Sequence, residues 1–340
     1  MRAVFRCDAT ADIGFGHLSR CIALAEALRS FDVSSTFAGL FDPAAQDQIG
    51  ILDFGRVDFA NPVNTNAADR QQFSDMMAED PAAFIVVDSY RADESYLSGI
   101  RVLGSALVVI DDFKALEEYP CDVLLNFTWE ASSLGYEEGP VLLLGPAYFP
   151  ARRRLVELRP QSIERQRPPN VRNLLIAIGG SDPKRIASRL VRILREDHAD
   201  LCLRVIAANE ADLLDPLDGF ADGSLVLPRQ RDLSEHLLWA DACITGGGLI
   251  KYESAFMGAP GAAVSQNEGQ AAETRSLTRA GLVFDLGLAD DRSDEELASG
   301  MDRFLTDEDL RDGLAACARN TFPADPSANA ARAIVEAIGG

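Results

Sequence analysis

The residues best placed to do chemistry begin with one of only three histidines. His17 follows Asp12-Ile13-Gly14-Phe15-Gly16, after a short strand-like segment, Ala3-Val4-Phe5, and opens an apolar-periodic stretch. Two glycines let the backbone turn tightly and come close to a ligand. The N–H groups of the helix that follows point into the same space. His17 therefore falls at the carboxyl edge of a first strand, where open α/β sheets bind ligands. A helix N-terminus disfavours imidazolium, so the ring is expected to be neutral and able to accept a proton. The bland alternative is a histidine that meets only backbone or water. His198 and His236 lie on amphipathic stretches and read as structural or solvent-facing. The turn is not a dinucleotide fingerprint, which needs a third glycine, nor a phosphate-binding loop, which needs Gly-Lys-Ser/Thr. No cofactor is expected, and scattered cysteines with few histidines argue against a structural metal.

Two further glycine turns follow strand-like runs. In Ile178-Gly179-Gly180-Ser181-Asp182-Pro183, Ser181 or Asp182 would cap a helix and Pro183 suits its first turn. This is either a plain strand–helix connection or, with Gly180, part of a ligand site. The third turn, Thr245-Gly246-Gly247-Gly248-Leu249, leads into Ile250-Lys251-Tyr252-Glu253. Three consecutive glycines are costly in entropy, and a diphosphate held by helix-start N–H groups would account for them. Glu253 could then accept hydrogen bonds from ribose hydroxyls, and Lys251 could add positive charge. Downstream, the amides of Asn267 and Gln270 in a polar loop could read sugar hydroxyl or acetamido groups. Leu227-Pro228-Arg229-Gln230 is either a base-edge segment or a plain loop.

These turns need a scaffold, and the chain supplies one. Among the runs Phe84–Val87, Leu107–Ile110, Val123–Leu125, Leu174–Ile178, Leu203–Ile206 and Ala242–Thr245, most have apolar residues in succession rather than in alternation. That pattern belongs to parallel strands covered on both faces. Amphipathic stretches lie between them, at His17–Ser30, Pro183–Arg195 and Ser234–Ala240. The alternation predicts an α/β protein built of βαβ units, and 340 residues predict two domains. The arginine- and proline-rich stretch 152–170 reads as a linker between domains at 1–151 and 171–340. The alternative is an exposed helix and loop within one large domain. The last helix, near Asn329–Ile338, is a candidate to pack back on the first domain.

The formal net charge is −21, with 53 acidic against 32 basic side chains. Such a surface repels nucleic acid and anionic lipid, so neither is an expected partner. An anionic ligand would instead need local backbone N–H groups and a few chosen cations. No apolar run reaches the ~18 residues that span a bilayer. The opening residues lack a leader pattern, and the six cysteines form no C-x-x-C pair. These features suggest a cytoplasmic protein, a monomer or weak dimer, with reduced cysteines.

Asp12-Ile13-Gly14-Phe15-Gly16-His17-Leu18-Ser19-Arg20 resembles the opening motif of the UDP-sugar hydrolases of pseudaminic acid biosynthesis and the related spore-coat polysaccharide proteins. Further matches follow in order. They are Val87-Asp88-Ser89-Tyr90, Ile110-Asp111-Asp112, Leu124-Leu125-Asn126, Gly145-Pro146-Ala147-Tyr148 with Arg152, Gly179–Asp182 and Gly246–Glu253. The resemblance implies two Rossmann-like domains with a cleft between them, a GT-B-like architecture with the nucleotide on the C-terminal domain. It implies metal-free hydrolysis of UDP-2,4-diacetamido-2,4,6-trideoxy-β-L-altrose, with His17 acting on the attacking water. It places Asp12, Gly14, Gly16, Tyr90, Asn126, Tyr148, Asn267 and Gln270 toward the sugar. Gly180, Gly246, Gly247, Gly248, Leu249, Lys251 and Glu253 fall toward the nucleotide. Many members carry Gly-Gly-Thr-Thr-Trp-Glu where this chain reads Gly247-Gly248-Leu249-Ile250-Lys251-Tyr252-Glu253. A glycosyltransferase using a UDP-sugar donor and a soluble acceptor is the alternative enzyme. A nucleotide-sugar-binding subunit without turnover is the non-enzymatic one.

Overall fold

Strands that read as unbroken apolar runs become the interior of two parallel sheets. The computed structural model describes residues 1–65, 67–179, 182–207 and 217–339. It divides into one unit of residues 1–153 with 325–340 and a second of 154–324.

The first unit alternates β1 (Arg2–Cys7), α1 (Gly16–Leu28), β2 (Ser34–Gly39), α2 (Pro43–Ile51), β3 (Gly55–Asp58), α3 (Ala67–Glu79), β4 (Phe84–Asp88), α4 (Glu94–Arg101), β5 (Ala106–Ile110), β6 (Val123–Asn126) and β7 (Val141–Leu144). The described strands form a parallel sheet in the order β3-β2-β1-β4-β5-β6-β7. β1 is therefore central, with β2 on one side and β4 on the other, in the register Cys7↔Asp88. One face of the core gathers Val4, Ile85, Val87, Leu107, Val109 and Leu124 with Phe73, Tyr96 and Leu97 of the covering helices.

Helix α1 is buried more widely than its sequence stripe of Leu18, Cys21, Ile22, Ala25 and Leu28. Ala23 and Leu24 are also buried. The chain's last helix explains this. α12 (Pro326–Gly339) belongs to the first unit and packs on α1 through a small-residue face that buries Ala330, Ala331 and Ile334. Ser327 anchors its start, donating to the Ala151 carbonyl at 2.7 Å.

The second unit runs through α5 (Arg153–Glu164, whose first residue falls in the first unit), β8 (Asn173–Ala177), α6 (Ile186–Asp197), β9 (Cys202–Ala207), β10 (Leu225–Pro228), α7 (Ser234–Trp239), β11 (Ala242–Gly246), α8 (Ile250–Phe256), β12 (Gly261–Ser265), α9 (Glu268–Arg279), β13 (Phe284–Leu288), α10 (Asp294–Thr306) and α11 (Glu308–Thr321). Its described strands are parallel, in the order β10-β9-β8-β11-β12-β13. The core joins Leu174, Ile176, Val205 and Ile244 to Leu190, Val191, Leu297 and Phe304.

The stretch read from sequence as a linker is largely a helix fixed to this unit. Arg159 of α5 donates to the carbonyls of Phe256 at 2.8 Å and Phe322 at 2.9 Å, and Ser162 donates to Met257 at 2.7 Å. Arg159, in a stretch that suggested an exposed connector, instead closes carbonyls at helix ends. No helix among the described residues is long and apolar enough to cross a membrane.

Candidate active site

The site in the first unit follows from the β1–β4 register. Cys7 ends β1 and Asp88 ends β4, side by side. After Cys7 the chain turns through residues 8–15. Gly14 adopts φ +88°, a left-handed conformation that side chains resist, and its N–H bonds the Thr10 carbonyl at 2.8 Å. That turn aims the start of α1 back over the strand ends. His17 is the helix's second residue, and its Nδ1 lies 2.6 Å from Asp88 Oδ1.

Arg20, one turn along α1, fixes the carboxylate. Its Nε reaches Asp88 Oδ2 at 2.7 Å and its NH2 reaches Asp88 Oδ1 at 2.6 Å. The same guanidinium holds Asp112, just past β5, through both oxygens at 2.7 and 2.8 Å. Tyr90, in the loop after β4, donates its hydroxyl to Asp112 Oδ2 and meets the His17 ring edge-on at 4.6 Å.

The charges of this cluster are mutually determined. Burial alone would raise the Asp88 carboxyl, but the Arg20 charge and then His17 hold it well below the usual carboxylate range. Burial opposes the Arg20 charge, yet Asp112 and Asp88 keep the guanidinium firmly protonated. Burial of the Tyr90 hydroxyl and the Asp112 charge push that phenol up, so it stays neutral. An ionised Asp88 only accepts hydrogen bonds, so the network assigns the imidazole proton to Nδ1. Nε2 is the ring nitrogen turned away from the carboxylate. An imidazole oriented by a buried carboxylate is the arrangement of a general base.

The other sequence candidates of this unit divide. Asp12 is exposed on the same turn as Gly14 and Gly16. A β-carbon at Gly16 would meet nothing of the protein, so the approach to the first amides of α1 is open. Tyr148 is half-buried in a single helical turn after β7. Asn126 departs from the expected sugar contact. It is fully buried, and its oxygen accepts from the Thr128 N–H and hydroxyl while its nitrogen donates to Tyr136. Tyr136 in turn bonds Asp111, so Asn126 braces the loops after β5 and β6. Asp88, Arg20 and Asp112 are the functional side chains that the spacing argument left without a role. For the two aspartates the signal is an acidic residue at or just past the carboxyl end of an apolar strand.

In the second unit the glycine turn is only partly explained by packing. A β-carbon on Gly246 would sit 1.9 Å from the Ile178 carbonyl oxygen, and one on Gly247 would sit 2.7 Å from Gln270 Cβ. Gly248 has open space around that position, so no neighbour in the protein demands its glycine. Glu253 lies buried on α8 near Leu249, the residue that precedes that helix.

Lys251 does not present its charge as expected. It is 0% exposed, pairs with Glu273 at 2.7 Å and donates to the Gly247 carbonyl. It therefore holds the turn in shape. Asn267 and Gln270 are likewise used locally. Asn267 caps α9 by accepting from the Gln270 N–H at 3.0 Å, and Gln270 Oε1 accepts from the Gln266 N–H at 2.9 Å. At the second glycine turn, Gly180 and Ser181 lie outside the described residues. Asp182 occupies the α6 start, accepting from Ile186 and Ala187 at 2.8 Å each. Those amides are already satisfied by a carboxylate, and Pro183 precedes the helix rather than beginning it.

Comparison with known proteins places the fold. No family model matches the chain. It is 16% identical to Acinetobacter baumannii MurG, with a TM-score of 0.66, covering 100% of this chain and 99% of that one. For the spinosyn forosaminyltransferase SpnP the values are 14%, 0.68, 100% and 100%. For S. aureus MnaA, solved with UDP, they are 10%, 0.69, 99% and 97%. The chain has the GT-B fold. In sequence it is similar to the uncharacterized protein MJ1062 of Methanocaldococcus jannaschii, 22% identical over 279 residues, which cover 79% of this chain and 56% of that protein. It is also similar to the spore coat polysaccharide biosynthesis protein SpsG of Bacillus subtilis, 26% identical over 181 residues, 52% of this chain and 50% of SpsG. The chain thus spans about half the length of the curated relatives it matches.

Proposed function

We propose that the protein is a GT-B-type enzyme that transfers a sugar from a nucleoside diphosphate to a hydroxyl, with His17 as general base. The observation that carries this reading is the His17–Asp88 contact of 2.6 Å, which leaves Nε2 as proton acceptor. As the acceptor oxygen bonds to the anomeric carbon, its proton passes to Nε2. The bond from that carbon to the diphosphate oxygen breaks, and its electron pair leaves with the diphosphate. Asp88 steadies the imidazolium that forms.

The nucleotide is assigned to the Gly246–Leu249 turn, where Gly248 is free of packing demands. With Lys251 committed to Glu273, backbone N–H groups and not that lysine would meet the diphosphate. UDP as the nucleotide is supported by the family resemblance and by the fold shared with a UDP-bound structure. A role in polysaccharide biosynthesis is supported by the similarity to SpsG.

A second reading makes water the acceptor, giving free sugar and UDP. The ordered motif matches from Asp12 to Glu253 favour it, because they resemble UDP-sugar hydrolases. A binding subunit without turnover would have no use for a carboxylate-oriented base. Product analysis by NMR with UDP-sugars, with and without hydroxyl acceptors, separates the readings. Sugar transferred to the acceptor supports the transferase, and free sugar released equally without acceptor supports the hydrolase. Tight UDP binding with no turnover in any mixture would return the weight to the binding subunit.

A further inference from the structure

Among the described residues, three aromatic side chains stand exposed: Tyr90 at 59%, Phe113 at 45% and Trp129 at 39%. They follow β4, β5 and β6 respectively, which are neighbours in the sheet, so all three gather at one carboxyl edge. Exposed aromatics scattered singly need no explanation, but a concentration at one edge does. The edge is also the one that holds His17.

Contacts link two of them, Tyr90 and Phe113, to the base. The Tyr90 ring meets His17 at 4.6 Å and Phe113 at 5.7 Å, tilted by 42°. Phe113 directly follows Asp112, whose carboxylate is clamped by Arg20 and takes the Tyr90 hydroxyl. The network that orients the base therefore also sets these two rings. The His17 side chain is only 11% exposed, and the Tyr90 ring is one of the surfaces that flank it. Phe113 has no hydrogen-bonding group, and the Tyr90 hydroxyl is turned in to Asp112. The pair offers ring faces, which carry negative quadrupole charge and attract weakly positive C–H groups.

We infer that Phe113, together with Tyr90, forms an aromatic wall beside His17 that takes the C–H face of the pyranose ring reacting there. Phe113 is thereby a residue that determines sugar specificity. The inference rests on the nucleotide-sugar reading above. It adds a residue that the motif resemblance left unassigned.

Calorimetric titration of the full chain with UDP and with UDP-N-acetylglucosamine tests it in wild type, Phe113→Ala, Phe113→Leu and Phe113→Tyr. Leucine keeps the bulk without the ring, so a folding defect in the alanine variant does not decide the result. The expected outcome is an approximately tenfold loss of UDP-N-acetylglucosamine affinity in the alanine and leucine variants. UDP affinity should stay within about twofold, and tyrosine should restore the sugar-nucleotide affinity. Unchanged UDP-N-acetylglucosamine affinity in both variants overturns the wall while leaving the nucleotide-sugar reading standing. Wild type that binds neither compound overturns both.

Discussion

At the scale of single residues, His17 owes its chemistry to neighbours far away in sequence. Its partner Asp88 is 71 positions distant, and only the β1–β4 register joins them. The histidine itself is legible from the glycines before it and its place at a strand's end. The dyad is not, because nothing local announces which strand will lie beside β1. Asp88→Asn should preserve the shape but present an amide that no longer stabilises the imidazolium. Its expected effect is a kcat loss of about a hundredfold or more with UDP affinity unchanged, measured by steady-state kinetics and calorimetry. An unchanged kcat would mean that the contact is only structural. Lys251 makes the opposite point. Sequence position suggests a phosphate contact, whereas burial and Glu273 make it a brace. Lys251→Met should destabilise by about 3 kcal/mol, because Glu273 is left without its cation. Adding Glu273→Gln should recover much of that, as read by denaturant unfolding. A single variant as stable as wild type would contradict the brace.

At the scale of elements, the strands were readable because parallel strands covered on both faces are apolar throughout. The helices carrying one apolar stripe were readable for the same kind of reason. Two features escaped. Arg159 of α5 spends itself on the carbonyls of Phe256 and Phe322, a tertiary use that composition does not reveal. The polar loop before α9 looked like a sugar-reading surface, but Asn267 and Gln270 bond their own backbone, a local competition typical of such residues. The glycine turn before α8 separates packing from function position by position. Gly246→Ala should prevent stable folding of the second unit, since its β-carbon would collide with the Ile178 carbonyl. Gly248→Ala should leave stability within about 0.5 kcal/mol and weaken UDP binding, as followed by thermal unfolding and calorimetry. Undiminished UDP affinity in that variant would move the diphosphate elsewhere.

At the scale of the whole molecule, charge sets the response to pH and salt. Asp88 has a folded pKa below its unfolded value. Its contribution is therefore fully present above the unfolded carboxylate value of about 4 and fades as pH falls toward the lower folded one. Asp88→Asn should flatten the stability curve below pH ~4, and an identical acid limb in both proteins would deny Asp88 that role. The net charge of −21 makes the folded chain repel itself, so moderate salt should raise Tm. An architecture of two parallel-sheet α/β domains was legible from length and alternation. The contribution of the last helix to the first unit was left open, because a chain terminus carries no signal of which surface it covers.

The most direct test of the account is UDP release from UDP-sugars, with and without hydroxyl acceptors, by wild type and His17→Ala. The account predicts release by wild type and loss of about a hundredfold or more in the variant, with UDP binding retained. Turnover that survives in His17→Ala would contradict it.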